Sequence, residues 1–358
     1  MIAEPSRRDL LRGAIAAVAT VGLGGALGVH AAGAPPRPSL AGVHRPRGFS
    51  LGLFASDPGW DYGPMLAEIA ARGATDVMLV PAWYQDDARA SRITPEPGRS
   101  PADDTVRRAL RQARELGLRT ALMPIVRLRS EGPGRWRGAI APAAGVDAWF
   151  ADYARYVLGM AHLAEEGGAA RFVVGSELVS LEAAEGPWRR LIGGARARFG
   201  GRLLYSANWD HADALPFADA LDEIGVNAYF PLATDDRRPS PAALRDAWRA
   251  PRRAFTALKR RHGKPLVVTE VGYPARRGAA RAPWQIDPAA PVDVALQADL
   301  LDVACEALSD PAVVDGLFVW NWFGYGGPSD GGYSPRGKPA AARVERWLRR
   351  MEIGERLA

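Results

Sequence analysis

Eight short apolar segments alternate with helix-like segments along the chain from about residue 48 onward. Short runs of Val, Leu, Ile and Phe are typical of strands that are buried on both faces of a parallel sheet. The segments span residues 49–54, 76–80, 120–125, 172–175, 203–206, 223–227, 266–269 and 317–320. This alternation predicts an α/β fold in which residues 48–351 form a single (β/α)8 TIM barrel.

The segments between the strands have the features of amphipathic helices. An apolar stripe at helical spacing, rich in aromatic residues, runs along residues 149–163 and is expected to lie in the core. Ser100-Pro101 and Ser240-Pro241 each predict a helix start, because Ser caps a helix and Pro fits its first turn. Residues 294–308 and 340–348 supply the last two helices, and a short, weak helix is expected at 214–221.

The N-terminal segment has the features of an export signal. Arg7 and Arg8 precede an apolar stretch at residues 14–29, and residues 32–34 offer a small-residue cleavage site. We interpret residues 1–34 as a twin-arginine-type signal peptide and the Pro-rich residues 35–47 as a linker. An uncleaved anchor and a disordered tail are the alternatives. The expected location is periplasmic or extracellular, as a monomer with no stable membrane insertion after cleavage of the signal.

Composition argues against several classes of function. The 358 residues include 46 basic and 40 acidic ones, and the arginines are scattered among acids, so we expect no nucleic-acid partner. The one cysteine, Cys305, cannot form an internal disulfide. There is no H-E-x-x-H pattern, no Cys/His cluster, no P-loop and no G-x-S-x-G elbow in the sequence. We therefore expect neither a metal nor a cofactor.

Two of the predicted strands end in a carboxylate. Glu177 follows the segment 172–175, and Glu270 follows the segment 266–269. In a barrel, the C-terminal ends of the strands form the active face, and two carboxylates are the usual machinery of a glycosidase. A single Glu at such a position is more often an ordinary exposed residue. The pair, together with the aromatic strand ends, favours a catalytic role for both.

Aromatic and amide side chains also follow the predicted strands. Aromatic faces stack on sugar rings, and amides pair with hydroxyl groups, so we expect these residues to bind a carbohydrate substrate. Each aromatic residue alone could belong to the core. A doubly wound open sheet is the alternative fold. The barrel is favoured because these residues follow strands along the whole chain, and a closed barrel brings all of those strand ends together at one face. The residues are Trp83, Tyr84, Asn208, Trp209, Asn227, Tyr229, Tyr273, Trp320 and Trp322.

Taken together, these residues resemble glycoside hydrolase family 113, of clan A, from about residue 48 to residue 348. The resemblance rests on combined short motifs, among them Val174-Gly175-Ser176-Glu177-Leu178, Tyr205-Ser206-Ala207-Asn208-Trp209-Asp210, Thr269-Glu270-Val271-Gly272-Tyr273 and Trp320-Asn321-Trp322. It implies a TIM barrel and a retaining hydrolase similar to the β-mannanases that act on β-1,4-mannan. It also implies Glu177 as acid/base, Glu270 as nucleophile, and Trp136 and Trp284 as further substrate-binding residues.

Two positions depart from the pattern. The wider clan commonly has Asn where this chain has Ser176, so Asn208 or Asn227 is a candidate for the contact with the sugar 2-hydroxyl. Arg127 ends the third strand where a neutral residue or His is more usual. The enzyme could therefore hydrolyse another β-glycan, either as a β-1,4-glucanase or as an exo-acting β-glycosidase. A non-catalytic carbohydrate-binding barrel and an exported protein that binds anionic polymers are the remaining alternatives.

The mechanism predicts specific contacts within the site. In a double displacement, Glu270 attacks the sugar while Glu177 protonates the leaving oxygen, so Glu177 has to carry a proton before this first step. The charge of Glu270 and the aromatic walls should both raise the pKa of Glu177. Tyr229 is expected to donate a hydrogen bond to Glu270, which orients that carboxylate. Trp320 is expected to form the floor under the sugar at the cleaved bond.

Overall fold

A computed structural model describes residues 44–132 and 134–356 of the chain. The predicted signal peptide at residues 1–34 and most of the linker lie outside the described residues. Ten strands are present among them, all paired in parallel: β1 (Arg47–Gly52), β2 (Asp76–Val80), β3 (Ala82–Gln85), β4 (Arg119–Leu122), β5 (Ile125–Leu128), β6 (Arg171–Ser176), β7 (Arg202–Asn208), β8 (Glu223–Asn227), β9 (Leu266–Val271) and β10 (Gly316–Val319).

Eight of these strands close into a barrel in the spatial order β1, β2, β4, β6, β7, β8, β9 and β10. Helices connect most of them: α1 (Gly63–Ala71), α2 (Asp103–Glu115), α3 (Val146–Glu166), α4 (Glu185–Arg196), α5 (Pro241–Ala247), α6 (Arg249–His262), α7 (Val294–Ala307) and α8 (Pro339–Arg356). The predicted (β/α)8 TIM barrel is confirmed. No helix in the described part of the chain is both long enough and apolar enough to cross a membrane.

Alternate residues of the strands face opposite sides of the barrel wall. Met78, Val173 and Val267 belong to a small buried cluster in the barrel interior, whereas their neighbours Val77 and Phe172 pack toward the helices. Because a strand turns successive side chains to opposite faces, a continuous apolar run fills both layers at once. This requirement explains why the barrel strands could be predicted from uninterrupted apolar segments of the sequence.

The second and third barrel strands each continue into an extra strand. β3 and β5 pair with each other in a separate two-stranded parallel sheet, from Ala82 opposite Ile125 to Gln85 opposite Leu128. The sequence interpretation took 120–125 as one strand, whereas the structure ends β4 at Leu122 and begins β5 at Ile125. The Pro at position 124 lacks a backbone N–H and fits this interruption.

Three local predictions differ from the structure. Ser100 does not cap α2, which begins at Asp103; its hydroxyl donates to the Ala82 carbonyl instead. The expected helix at 214–221 is only the single turn Ala218–Ala220. The barrel begins at Arg47, within the predicted linker. By contrast, Ser240 caps α5 as expected, because its hydroxyl accepts the Ala243 N–H at 3.2 Å.

The N-terminal ends of the strands carry a buried network of charges. Arg171 makes two hydrogen bonds to the Glu223 carboxylate, at 2.8 and 3.1 Å, and both side chains are almost wholly buried. Asp76 lies 3.9 Å from Arg171 and accepts a 2.6 Å contact from His44. These paired charges close the end of the barrel opposite to the two predicted catalytic residues.

Candidate active site

Glu177 is placed at the barrel mouth, the C-terminal ends of the barrel strands, by a bulge. Val173 pairs with Leu204 and Ser176 with Ser206, so β6 has two residues where β7 has one. Glu177 itself has a φ of 54°, the only positive φ of a non-glycine residue in the described chain. Bulges and left-handed residues commonly re-aim side chains at functional sites. This local backbone turns the Glu177 side chain toward the neighbouring strands.

A second bulge places Glu270. Val226 pairs with Val268 and Asn227 with Glu270, which leaves Thr269 as the extra residue of β9. Glu270 is only 3% exposed. The two predicted catalytic carboxylates thus reach the barrel mouth from β6 and β9, with two strands between them.

Asn227, at the end of β8, lies between the two carboxylates. Its Nδ2 donates to Glu177 Oε1 at 3.1 Å, while its Oδ1 lies 2.8 Å from the Ser206 hydroxyl and 2.9 Å from the Thr269 hydroxyl. An ionised carboxylate only accepts hydrogen bonds, so Glu177 faces the NH2 end of the amide, and the amide oxygen is left to accept from the hydroxyls. The sequence interpretation missed the contacts of Ser206 and Thr269 with Asn227, because they depend on strand register.

Glu270 is anchored through one oxygen. The Tyr229 hydroxyl donates to Glu270 Oε2 at 2.7 Å, as predicted. Glu270 Oε1 is buried and has no hydrogen-bond partner among the described residues. The Tyr229 hydrogen bond therefore orients this carboxylate through Oε2.

Arg137 forms an ion pair with Glu177, with 2.9 Å between Nη2 and Oε2. This residue lies in a short turn, Arg137–Ala139, directly after Trp136, and both partners are largely buried. Gly138 permits the turn, since a Cβ there would lie 2.2 Å from the Trp136 ring. The Arg was missed as a site residue, although the stretch around Trp136 belongs to the family resemblance.

The electrostatics of the two carboxyl groups are coupled. Burial raises the pKa of Glu270, and the negative charge of Glu177 raises that pKa further. The Arg137 guanidinium and the hydrogen bond from Tyr229 offset part of this rise. The sequence interpretation did not anticipate this raised pKa of Glu270. The protons of such a pair belong to both groups together.

Several of the predicted aromatic residues keep accessible surface after the C-terminal ends of the strands. Trp320 is half-buried, with its ring 6.5 Å from Phe54. Tyr333, which was not predicted, stands edge-on to Tyr229 at 6.2 Å. Three other predicted residues, Trp136, Trp209 and Trp284, also keep accessible surface and lie on loops that follow strands.

Four of the predicted aromatic residues pack within the fold, and their contact with substrate stays a prediction. Trp322 and Tyr273 have no exposed surface: the Trp322 ring packs edge-on against Phe49 at 4.8 Å and its indole N–H donates to Glu68. Trp83 turns outward and stacks on Tyr156 of α3 at 4.5 Å. Tyr84 faces inward but is 1% exposed.

The remaining predicted positions have the following environments. Asn208 is 6% exposed and pairs in register with Asn227. The hydroxyl of Ser176 is buried without a hydrogen-bond partner among the described residues, and the contact with a sugar 2-hydroxyl stays a prediction. Arg127 is paired through two hydrogen bonds with Glu131, at 3.1 and 2.9 Å. Within the described residues, no group of three His, Cys, Asp or Glu could hold a metal.

A model of Glycoside Hydrolase Family 113 matches residues 63–326. The chain belongs to glycoside hydrolase family 113. It is similar to the family 113 β-mannanase AaManA from Alicyclobacillus acidocaldarius in complex with ManMIm, with 27% identity, a TM-score of 0.78, and coverage of 87% of this chain and 100% of that one. A second family 113 β-1,4-mannanase, also solved as a complex, gives 25% identity and a TM-score of 0.76 over 86% of this chain and 99% of that one.

More distant structures share only the fold of this family 113 chain. One is a GH5_18 protein from Streptomyces cattleya, with 19% identity, a TM-score of 0.59, and coverage of 85% of this chain and 80% of that one. A search of curated proteins found no match. The family and the two β-mannanase structures establish the chain as a glycoside hydrolase.

Proposed function

We propose that this hydrolase cleaves β-1,4-linked mannan with retention of anomeric configuration, using Glu177 and Glu270. The observation that supports this most directly is that Asn227 and Tyr229, on or just after β8, contact one carboxylate each. The names of the two similar family 113 structures support the choice of mannan.

In the first step, Glu270 Oε1 attacks the anomeric carbon and the glycosidic bond breaks. The proton of Glu177 goes to the leaving oxygen, so that a glycosyl-enzyme and a shortened chain form. Tyr229 keeps Oε2 in place during the attack. The step needs Glu270 in its ionised form, and the Arg137 charge and the Tyr229 hydrogen bond both lower the pKa of Glu270 and favour that form.

In the second step, Glu177 removes a proton from water, and the resulting hydroxide displaces Glu270 from the sugar. The Arg137 guanidinium at 2.9 Å stabilises the ionised Glu177 that this step requires. No step calls for a metal or an organic cofactor.

The function is tested by product analysis on a panel of mannan, glucomannan, β-1,4-glucan and xylan. We expect release of reducing sugar from mannan, with products that initially have the β configuration by NMR. Glu270→Ala should abolish turnover, and azide should restore it with formation of the α-glycosyl azide. Glu177→Ala with azide should yield the β-glycosyl azide from substrates with good leaving groups.

If reducing sugar is released only from another polysaccharide, the proposed substrate is wrong but the proposed mechanism is not contradicted. Products of inverted configuration, or full activity of Glu270→Ala, would contradict the proposed mechanism. Absence of turnover on every β-glycan would favour the non-catalytic carbohydrate-binding alternative.

A further inference from the structure

A buried pair of polar residues lies behind Glu177, on the helix side of the barrel wall. The Tyr205 hydroxyl accepts the Leu178 N–H at 2.9 Å and donates to Glu182 Oε1 at 2.8 Å. Tyr205 has no exposed surface, and Glu182 is 6% exposed. Neither side chain points into the sugar site, so neither has a part in the mechanism above.

The position of the Tyr205 hydroxyl is fixed by packing. Its ring stands edge-on to Trp188 at 5.1 Å and to Phe217 at 5.4 Å. Gly175 lies against the same rings, since a Cβ there would be 2.7 Å from Trp188 and 3.0 Å from Tyr205. A rigid aromatic ring in a dense core holds its terminal oxygen in one place.

Hydrogen bonds fix the backbone on both sides of Glu177. The Glu177 N–H donates to the Ser206 carbonyl at 2.9 Å, and the next N–H, of Leu178, donates to Tyr205. Glu177 is held at a φ of 54°, which is unfavourable for a residue with a side chain. Such a conformation persists only where the surroundings enforce it. These two hydrogen bonds hold the peptide groups on both sides of Glu177.

We propose that Tyr205 and Glu182 are positioning residues that set the orientation of Glu177 for proton transfer. Glu182 orients the Tyr205 hydroxyl, and that hydroxyl fixes the peptide after Glu177. The inference rests on the proposed role of Glu177 as acid/base. It assigns a function to two residues that do not touch the substrate.

Glu182 has several titratable neighbours. The Tyr205 hydroxyl is bonded to it, His211 Nδ1 lies 3.8 Å from its Oε2, and the charges of Asp210 and Glu177 act on it. Burial raises the pKa of Glu182 to about 8. Its carboxyl group is therefore mostly neutral at pH 7, and Gln is a close substitute that keeps an acceptor for Tyr205.

The test compares two substrates with different needs for an acid. The dinitrophenolate of a dinitrophenyl glycoside departs without being protonated. The leaving group of a phenyl or alkyl glycoside needs a proton from the enzyme. For both kinds of substrate, kcat/KM reports the first chemical step. With aryl mannosides, or the sugar that the polysaccharide panel identifies, we expect Tyr205→Phe to lower kcat/KM on the poor leaving group about tenfold or more. On the dinitrophenyl substrate, kcat/KM should fall less than about twofold, because proton transfer is not needed.

Glu182 variants give an independent arm. Glu182→Ala removes the acceptor and should resemble Tyr205→Phe, whereas Glu182→Gln keeps it and should preserve the ratio of the two rates. If Glu182→Gln changes the ratio of kcat/KM on the two substrates as much as Glu182→Ala does, the oxygen that accepts from Tyr205 does not have the proposed role. If Glu182→Ala does not fold, Tyr205→Phe and Glu182→Gln still decide the question.

Tyr156→Phe is the matched control. Tyr156 is also a buried core tyrosine, but its hydroxyl donates to the Pro81 carbonyl at 3.1 Å, just after β2 and not on the strand that carries Glu177. It should lose stability like Tyr205→Phe while the ratio of the two rates stays unchanged. Equal ratios in the two Tyr variants would overturn the proposal. Absence of leaving-group dependence in Glu177→Ala would instead refute the acid/base assignment itself.

Discussion

At the scale of single residues, the site depends on which oxygen of each carboxyl group is engaged. Tyr229 occupies one oxygen of Glu270, and Asn227 and Arg137 contact different oxygens of Glu177. A carboxylate held at one oxygen keeps its orientation while the other oxygen reacts. Removal of a single hydrogen bond should therefore alter the chemistry before it alters the fold.

Tyr229→Phe should shift the pH profile of the enzyme. The hydrogen bond from Tyr229 lowers the pKa of Glu270, so its loss raises that pKa. Because the nucleophile has to be ionised, the acidic limb of the kcat/KM profile should move to higher pH. The rate should fall by about tenfold or more, which matches loss of a hydrogen bond to a charged group.

Tyr333→Phe is the control for this variant. The Tyr333 ring stands 6.2 Å from that of Tyr229, but its hydroxyl donates to the Pro283 carbonyl. The acidic limb should keep its place in this variant. An unshifted limb in Tyr229→Phe would show that the hydrogen bond does not control the ionisation of Glu270.

The sequence predicted those candidate site residues that lie at the C-terminal end of a barrel strand. Glu177, Glu270 and Tyr229 follow apolar segments directly, so their place at the barrel mouth came from the pattern alone. Arg137 could not be found this way, because it lies in a turn outside the barrel strands and reaches Glu177 only after folding. Ser206 looked like an ordinary strand residue until the register set it beside Asn227.

At the scale of elements, the barrel strands were predictable and their irregularities were not. β2 and β8 have the predicted bounds, because burial on both faces leaves a clear apolar run. The bulges before Glu177 and Glu270 add one residue each without changing composition. For the same reason the pattern could not tell which aromatic residues face the mouth, and Trp322 and Tyr273 proved to be core residues.

The buried charge pair at the start of β6 and β8 should matter for stability alone. Glu223→Ala would leave Arg171 buried without its partner, and loss of one member of such a pair costs about 3–5 kcal/mol. Denaturant unfolding should show this loss, with activity per folded molecule unchanged, because the pair lies at the end of the barrel opposite to the mouth.

Asp147→Ala gives the comparison for Glu223→Ala. Its pair with Arg190 is exposed, at 85% and 70% of the two side chains, so the change should cost at most about 1 kcal/mol. If both variants lose the same stability, the buried network contributes no more than a surface pair.

At the scale of the whole molecule, charge and chemistry are divided between the two ends of the barrel. The N-terminal ends of the strands hold ionised groups in matched pairs, as Arg171 and Glu223 show. The other end holds Glu270 and Glu182, whose burial raises their pKa values. The burial of Glu270 fits its proposed catalytic role, because groups with shifted pKa values cluster at functional sites.

This arrangement predicts how the stability of the protein depends on pH. The pKa of Glu182 is raised from 4.5 to about 8, so between these values the folded protein holds a proton that the unfolded chain has released. The free energy of unfolding is then greatest below pH 4.5 and falls as the pH rises through 8, as far as this group is concerned. Glu270 acts in the same direction, whereas the lowered pKa of His262 acts in the opposite one.

Glu182→Gln isolates the contribution of one group. Residue 182 cannot ionise in this variant, so its melting temperature should gain on that of the unmodified protein from pH 5 to about pH 8 and level off above it. Glu270 and His262 remain in both proteins and cancel in the difference. Thermal unfolding of both proteins across this range provides the measurement. Two parallel curves would mean that Glu182 titrates as it does in the unfolded chain, and that its burial beside Tyr205 has no electrostatic cost.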